Sequence, residues 1–484
     1  MTTTTVPDFL PVLPEIFLGV SAMALLMVGA FRGERSAQLV TWLSIAALVV
    51  TMALVLWVGG GRKIALDGMF ITDGFGAFMK LLAIGGSALA VLLAFDYNRR
   101  RGIARFEYPV LILLATTGMM MMISAHDFIA LYLALELQNL ALYVVTSFER
   151  DSVRSTEAGL KYFVLGALAS GMLLFGISLI YGFTGTTDFE SLQHAIQGGD
   201  AAHSIGIVFG IVFIVVGLAF KASAVPFHMW TPDVYEGAPT PVTALLSVAP
   251  KVAAIALFLR VMLDPFHGLT SDWWQVIWAI SVASMILGSL AAIAQHSIKR
   301  LMAYSSIGHV GYALIGLAAG TDAGVAGVLF YMAIYVIMNV GAFGAILCMR
   351  RDGKMVEEIS DLSGLARTRP GLAAAFGVFM FSLAGVPPLA GFLGKFYIFL
   401  AAIDARYYGL AIIGVVTSVV GAYYYLRIVK VMFFDEPAPA FDRPTSPVLG
   451  TVLAVSALLV LLFFIYPAPI ADSAKAAAAT LFAG

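Results

Sequence analysis

The sequence predicts an all-α polytopic membrane protein of about fourteen transmembrane helices, and three observations carry that expectation. First, 61% of the 484 residues are hydrophobic and only 12% are charged, about half the charged share of an ordinary soluble chain. Second, the apolar residues come in runs. Fourteen spans of roughly 20 residues need about 280 apolar residues, and 61% of 484 amounts to about 295. Third, the loops between the runs are short, which leaves little for a soluble domain.

In chain order the expected spans cover 9–30, 37–58, 75–95, 107–123, 127–148, 157–182, 203–230, 238–262, 273–294, 299–319, 323–349, 371–401, 407–433 and 446–466. Residues 1–5 carry no basic group, so the start reads as a retained first helix and not as a cleaved signal peptide. The two longest loops, 183–202 and 351–370, read as partly helical and interfacial. Loops after odd-numbered spans hold 17 Lys and Arg residues, Lys299 among them, against 5 on the other side, Arg260 among them. That bias puts both termini outside the cytoplasm.

Spans seven and twelve each contain a proline inside a long apolar run, Val225-Pro226 and Val386-Pro387. A proline removes a helical hydrogen bond and breaks or kinks the helix. Paired breaks of this kind point to a repeated unit with an ion site at the interruptions. The prolines lie five spans apart, an odd number, so the two five-helix repeats would be inverted. On this reading 1–125 holds spans one to four, the fourth of which opens the first repeat (107–262). The second repeat covers 273–433, and 446–484 forms the last helix and tail. The plain alternative is that prolines are simply common in membrane helices.

Several function classes drop out. A net charge of −1 gives no basic surface for nucleic acid. The single cysteine, Cys348, cannot form an internal disulfide, a structural zinc site or an iron–sulfur site. No dinucleotide fingerprint or phosphate loop is present, since Gly394-Lys395 lacks the required context. No cofactor is expected on the chain itself.

Six cations fall inside spans: Lys80, Lys161, Lys221, Lys251, Lys395 and Arg427. A charge at the bilayer centre costs at least about 2.5–3.5 kcal/mol, and such residues usually mark a pathway. Glu136 lies near the middle of span five with no cation near it in sequence, so its partner must sit on another helix. Lys221 lies five residues before the span-seven break, where an unwound turn would expose carbonyls and admit water. Burial disfavours a charged lysine and a nearby carboxylate favours it. A Glu136–Lys221 pair would therefore switch the lysine between its two states, as a proton relay requires. Lys251 follows Pro250 deep in span eight, and Lys395 follows the span-twelve break among glycines. Lys161 stands four residues after Glu157, the spacing of an ordinary helix-surface pair. Lys80 and Arg427 lie within about two turns of a span end and read as snorkelling. His228 follows the first break and His309 sits in a polar patch of span ten. Each is placed to pass protons between lysines or to serve as a purely structural histidine.

Two segments carry a family likeness: Lys221-Ala-Ser-Ala-Val-Pro-Phe-His228-Met-Trp230-Thr-Pro-Asp-Val-Tyr-Glu-Gly-Ala-Pro239-Thr-Pro241, and Lys299-Arg-Leu-Met-Ala-Tyr-Ser-Ser306. They resemble the proton-conducting membrane transporter family, the antiporter-like subunits of respiratory complex I and of multisubunit cation/proton antiporters. Three further segments resemble the complex I branch: the one running from His126 through Glu136 to Tyr143, Lys161-Tyr-Phe-Val-Leu-Gly166, and Pro387-Pro-Leu-Ala-Gly-Phe-Leu-Gly-Lys395. Lys395 stands where another subunit class has Glu, and the chain lacks the long lateral helix of a third class.

The resemblance implies Glu136 with Lys221 as the input pair, Lys251 as the central relay and Lys395 as the outlet, with Lys161 near the input. It implies a proton-translocating subunit with both termini on the periplasmic side of a bacterial inner membrane. NADH, FMN, iron–sulfur clusters and quinone would belong to the assembled complex, and the partners would be other antiporter-like and small membrane subunits. Asn139 stands where the motif leads one to expect Ser, at a position read as lying away from the relay. A subunit of a multisubunit sodium/proton antiporter is the alternative, and a solute carrier a weaker third.

Overall fold

The computed structural model describes residues 8–59, 61–197, 204–443 and 446–482. Residues 1–5, the first residue of the seventh expected span and part of the 183–202 loop lie outside those described. The described residues form nineteen α-helices, four short 3-10 turns and two small hairpins. The N-terminal helices are α1 (Leu13–Arg32), α2 (Ala37–Val58), α3 (Gly74–Arg100) and α4 (Glu107–Ile123). Then come α5 (Phe128–Thr146), α6 (Val153–Thr184), the short α7 (Phe189–Gln197), α8 (Ile205–Ala222), α9 (Trp230–Gly237) and α10 (Thr240–Leu263). The second half holds α11 (Thr270–Ile293), α12 (Ile298–Ala319), α13 (Asp322–Ile346), the one-turn α14 (Leu365–Thr368), α15 (Pro370–Ala384), α16 (Ala390–Asp404) and α17 (Tyr408–Phe434). The chain closes with α18 (Pro447–Ile465) and α19 (Ala468–Leu481).

Eleven helical segments among the described residues are long and apolar enough to cross a membrane, and one of them, Leu10–Val58, holds both α1 and α2. The shorter apolar helices α4 and α15 join these. With α8–α9 and α15–α16 each taken as one interrupted crossing, the total is the expected fourteen. The helix starts follow local chemistry. Asp73, Asp127, Ser152, Ser297 and Thr321 each accept a hydrogen bond from a first-turn amide of α3, α5, α6, α12 and α13, satisfying donors that the helix itself leaves free.

Sequence reading missed several elements. The hairpin β1 (Lys63–Ala65) and β2 (Phe70–Thr72) stands between α2 and α3. The 351–370 loop opens on a second hairpin, β3 (Arg350–Arg351) with β4 (Lys354–Met355). The tail folds as α19, whose Thr480 hydroxyl accepts from the Phe75 amide at the start of α3.

Burial sorts the helices. Every residue of α10 is buried, and α12 and α13 are buried along nearly their whole length. Helices α1, α2, α6, α17 and α18 expose wide apolar faces, among them Val49, Leu56, Leu168, Val419 and Leu458. Apolar faces turned outward and polar groups turned inward reverse the soluble-protein pattern, as a lipid surround requires. Of the buried lysines, Lys221 lies on α8, Lys251 on α10 and Lys395 on α16.

Candidate functional site

Both expected breaks are present, and each ends a helix with carbonyl groups to spare. At the end of α8, Ser223 takes a left-handed conformation (φ 65°). The carbonyl of Ala219 accepts from the Ala224 amide, and that of Phe220 from the Ser223 amide and the Trp230 indole. The carbonyl of Ala222 accepts from Lys251 Nζ at 2.8 Å. At the end of α15, Gly385 is left-handed (φ 86°), and amides of residues 385 and 386 use the carbonyls of Phe381 and Ser382. The next two carbonyls, Leu383 and Ala384, both accept from Lys395 Nζ at 3.0 Å, and Ser418 Oγ completes its three bonds at 2.9 Å. A helix C-terminus carries orphan acceptors and the negative end of the dipole. A buried ammonium placed there gains what water would otherwise supply. Gly385 also makes room, because a Cβ there would come within 3.0 Å of Lys395 Cδ.

The carbonyls exposed by the first break thus serve Lys251, on the neighbouring helix α10, and not Lys221. Lys221 Nζ instead donates to Asn139 Oδ1 on α5 and lies 5.6 Å from the Tyr162 ring centre. Asn139 Nδ2 donates in turn to Glu136 Oε1 at 3.1 Å and to Ser170 Oγ at 3.3 Å. This corrects two expectations. Glu136 and Lys221 form no direct ion pair among the described residues, and Asn139, read as lying away from the relay, stands between them. One helical turn separates Glu136 from Asn139, so both face the same way. Only the path of α8 decides that Lys221 meets the amide first.

His309 lies on the inner face of α12, buried, with a tyrosine hydroxyl at each ring nitrogen. Nδ1 meets Tyr331 of α13, and Nε2 meets Tyr425 of α17 at 3.1 Å. Ser305 bonds Tyr425, and Ser306 bonds Tyr335 at 2.9 Å. Lys395 Nζ lies 5.0 Å from the Tyr312 ring centre on the same helix as His309. Sequence reading missed these tyrosines. Tyr331 and Tyr335 are four residues apart on α13, a spacing that puts both on one helical face.

Lys161 is not drawn into this row. Its side chain, 41% exposed, bonds Glu157 at 2.7 Å and Asp233 of α9 at 2.8 Å. Asp233 and Glu236 also hold Arg300 of α12, at 2.8 and 2.9 Å. These residues line a cleft of about 190 Å³ at one end of the bundle. His228 lies half-buried in the segment that crosses the first break.

Three cations were misplaced by sequence alone. Lys80 does not snorkel: it is buried and bonds the buried Glu15 of α1 at 2.6 Å. Arg260, read as a loop cation, lies within α10 and pairs with Asp73 at 2.9 Å, both side chains 1% exposed. Lys299, also read as a loop cation, is buried at the start of α12 and donates to the Ala238 carbonyl that ends α9. Arg427 keeps its place near a helix end and reaches the Ile293 carbonyl of α11. Among the described residues, no three His, Cys, Asp or Glu side chains gather into a group that could hold a metal.

The family described as the membrane region of NADH:quinone oxidoreductase and Mrp antiporters matches residues 125–421. NADH-quinone oxidoreductase subunit N of Paramagnetospirillum magneticum is 58% identical over 478 residues, covering 98% of each chain. Among solved structures, a chain of respiratory complex I from Thermus thermophilus superposes with a TM-score of 0.82 at 33% identity, covering 96% of this chain and 99% of that one. A chain of the Mrp complex from a Dietzia species gives 0.85 at 25% identity, covering 97% of each.

Proposed function

This chain belongs to the NADH:quinone oxidoreductase/Mrp antiporter membrane family, and from that membership we propose that it is the proton-translocating N-type subunit of an NADH-quinone oxidoreductase. The chain supplies a membrane path. NADH, FMN, iron–sulfur clusters and quinone act in other subunits, and the redox energy released there drives proton movement here. Its partners are the other membrane subunits of that complex, in a bacterial inner membrane.

The observation that carries the reading is a row of buried ionisable groups through the middle of the bundle. Lys221, Lys251, His309 and Lys395 are all buried, and each has a polar partner on a different helix. Intramembrane cations cost too much to be kept without a use. A change of charge near α5 reaches Lys221 through Asn139. Lys221 then gives up its proton towards Lys251, and the tyrosine-flanked His309 passes it on to Lys395, the outlet. Lys161 and its carboxylates line the cleft from which this row is filled, and His228 lies in the segment between Lys221 and α9. The packing supports reading 107–262 and 273–433 as inverted repeats. In the first, α4 packs on α5 and on α10, and in the second α11 packs on α12 and on α17.

Lys221→Ala in the assembled complex is expected to abolish NADH-driven proton pumping, measured as acidification in vesicles. Normal pumping by this variant would overturn the assignment. Sodium/proton antiport is the second reading, favoured by the Mrp chain's equally close superposition. Higher identity to complex I chains weighs against it. Pulling down the native complex and testing it for NADH-quinone activity separates the two.

A further inference from the structure

Asn139 occupies a place that neither a carboxylate nor a lysine could fill in the same way. Its amide orientation is set by its neighbours. Nδ2 faces Glu136 Oε1 and Ser170 Oγ, both able to accept, and Oδ1 faces the Lys221 ammonium, which can only donate. The reverse orientation would set oxygen against carboxylate and N–H against ammonium. Lys221 has few other polar contacts. The groups facing it are Tyr143 from α5 and Tyr162 from α6, with Glu136 of α5 beyond the amide, and α10 brings Lys251 to the adjacent Ala222 carbonyl. α11, which also packs on α8, has no titratable residue along its inner length.

We propose that Asn139 is a positioning residue that couples Glu136 to Lys221 while keeping proton transfer between them closed. A neutral amide transmits the field of the carboxylate through its dipole. It does not take up the lysine proton at neutral pH. The proton on Lys221 is therefore directed along α8 towards α10 and is not lost to Glu136. This rests on the assignment of Lys221 to the path, as given above.

The experiment uses the whole complex in vesicles, with assembly checked by native gel and by NADH oxidation through an artificial acceptor. Proton pumping is followed from pH 6 to 9 for Asn139→Leu, Asn139→Asp and, in parallel, Lys221→Ala. Leu keeps the branched shape and removes all three hydrogen bonds, and pumping is expected to fall tenfold or more with assembly intact. Asp sets a carboxylate directly against the ammonium, which favours its charged form. The optimum of pumping is then expected to move to higher pH by about one unit. The role of Asn139 is overturned if Leu pumps like the parent, or if Asp loses activity equally at every pH. Should Lys221→Ala pump normally, the path assignment itself fails. Should it abolish pumping while both Asn139 variants match the parent, only the role of Asn139 falls.

Discussion

The two broken helices solve one problem with different numbers of bonds. At the end of α8, one spare carbonyl meets one lysine, and that lysine, Lys251, comes from the next crossing. At the end of α15, two carbonyls and a serine hydroxyl meet Lys395, which comes from the continuation of the same broken helix. All three donors of Lys395 are satisfied, whereas Lys251 has a single polar acceptor among the described residues and the Trp230 ring 5.9 Å away. In the first half, moreover, the duties are divided: Lys221 faces the α5 amide and Lys251 takes the helix end. The second half gives the helix end to one lysine and surrounds a histidine with tyrosines. The same break can therefore anchor a terminal charge firmly or hold an intermediate one loosely, depending on how many carbonyls the turn frees.

Removing the two lysines tests this contrast most severely. Lys251→Met and Lys395→Met are each expected to lower NADH-driven pumping more than tenfold. They should differ in stability. An ammonium with three acceptors leaves three groups unpaired on removal, and each buried orphan costs about 1–3 kcal/mol. Lys395→Met should therefore lower the melting temperature of the complex more than Lys251→Met, and equal losses would erase the contrast between the halves. A smaller effect is expected from Gly385→Ala, which crowds Lys395 and strains a left-handed residue. Pumping should drop several-fold with Lys395 still present, and parent-like pumping would show that this lysine is not held as tightly as its bonds imply. Smallest of all, Tyr425→Phe removes one hydroxyl from His309. A two- to fivefold slowing is expected, with a loss of about 1 kcal/mol in stability. No change in rate would take the tyrosines out of the path.

Much of this was legible beforehand, for reasons that lie in local chemistry. Hydropathy marks spans because each helix must bury its own backbone in lipid. Pro226 and Pro387 marked the breaks because proline cannot donate. The candidate lysines stood out because a charge in an apolar run is rare. Lys80 and Arg260 were misjudged on the same footing. Their distance from a span end is a property of one helix, while their partners Glu15 and Asp73 come from elsewhere in the chain. The tyrosines around His309 were invisible for a related reason, since a buried tyrosine in a membrane helix reads as ordinary packing until its hydroxyl is seen to meet a partner.

By itself, then, the sequence determined the crossings, the two interruptions and the residue types able to carry charge, all of which follow from single-helix periodicity and composition. Only the tertiary structure decided which lysine receives which carbonyl, that Asn139 stands between Glu136 and Lys221, and that Lys161 belongs to the cleft. A buried polar group must be satisfied. A buried lysine here finds its partner on another helix or at the end of a broken one, and the packing of the bundle selects it.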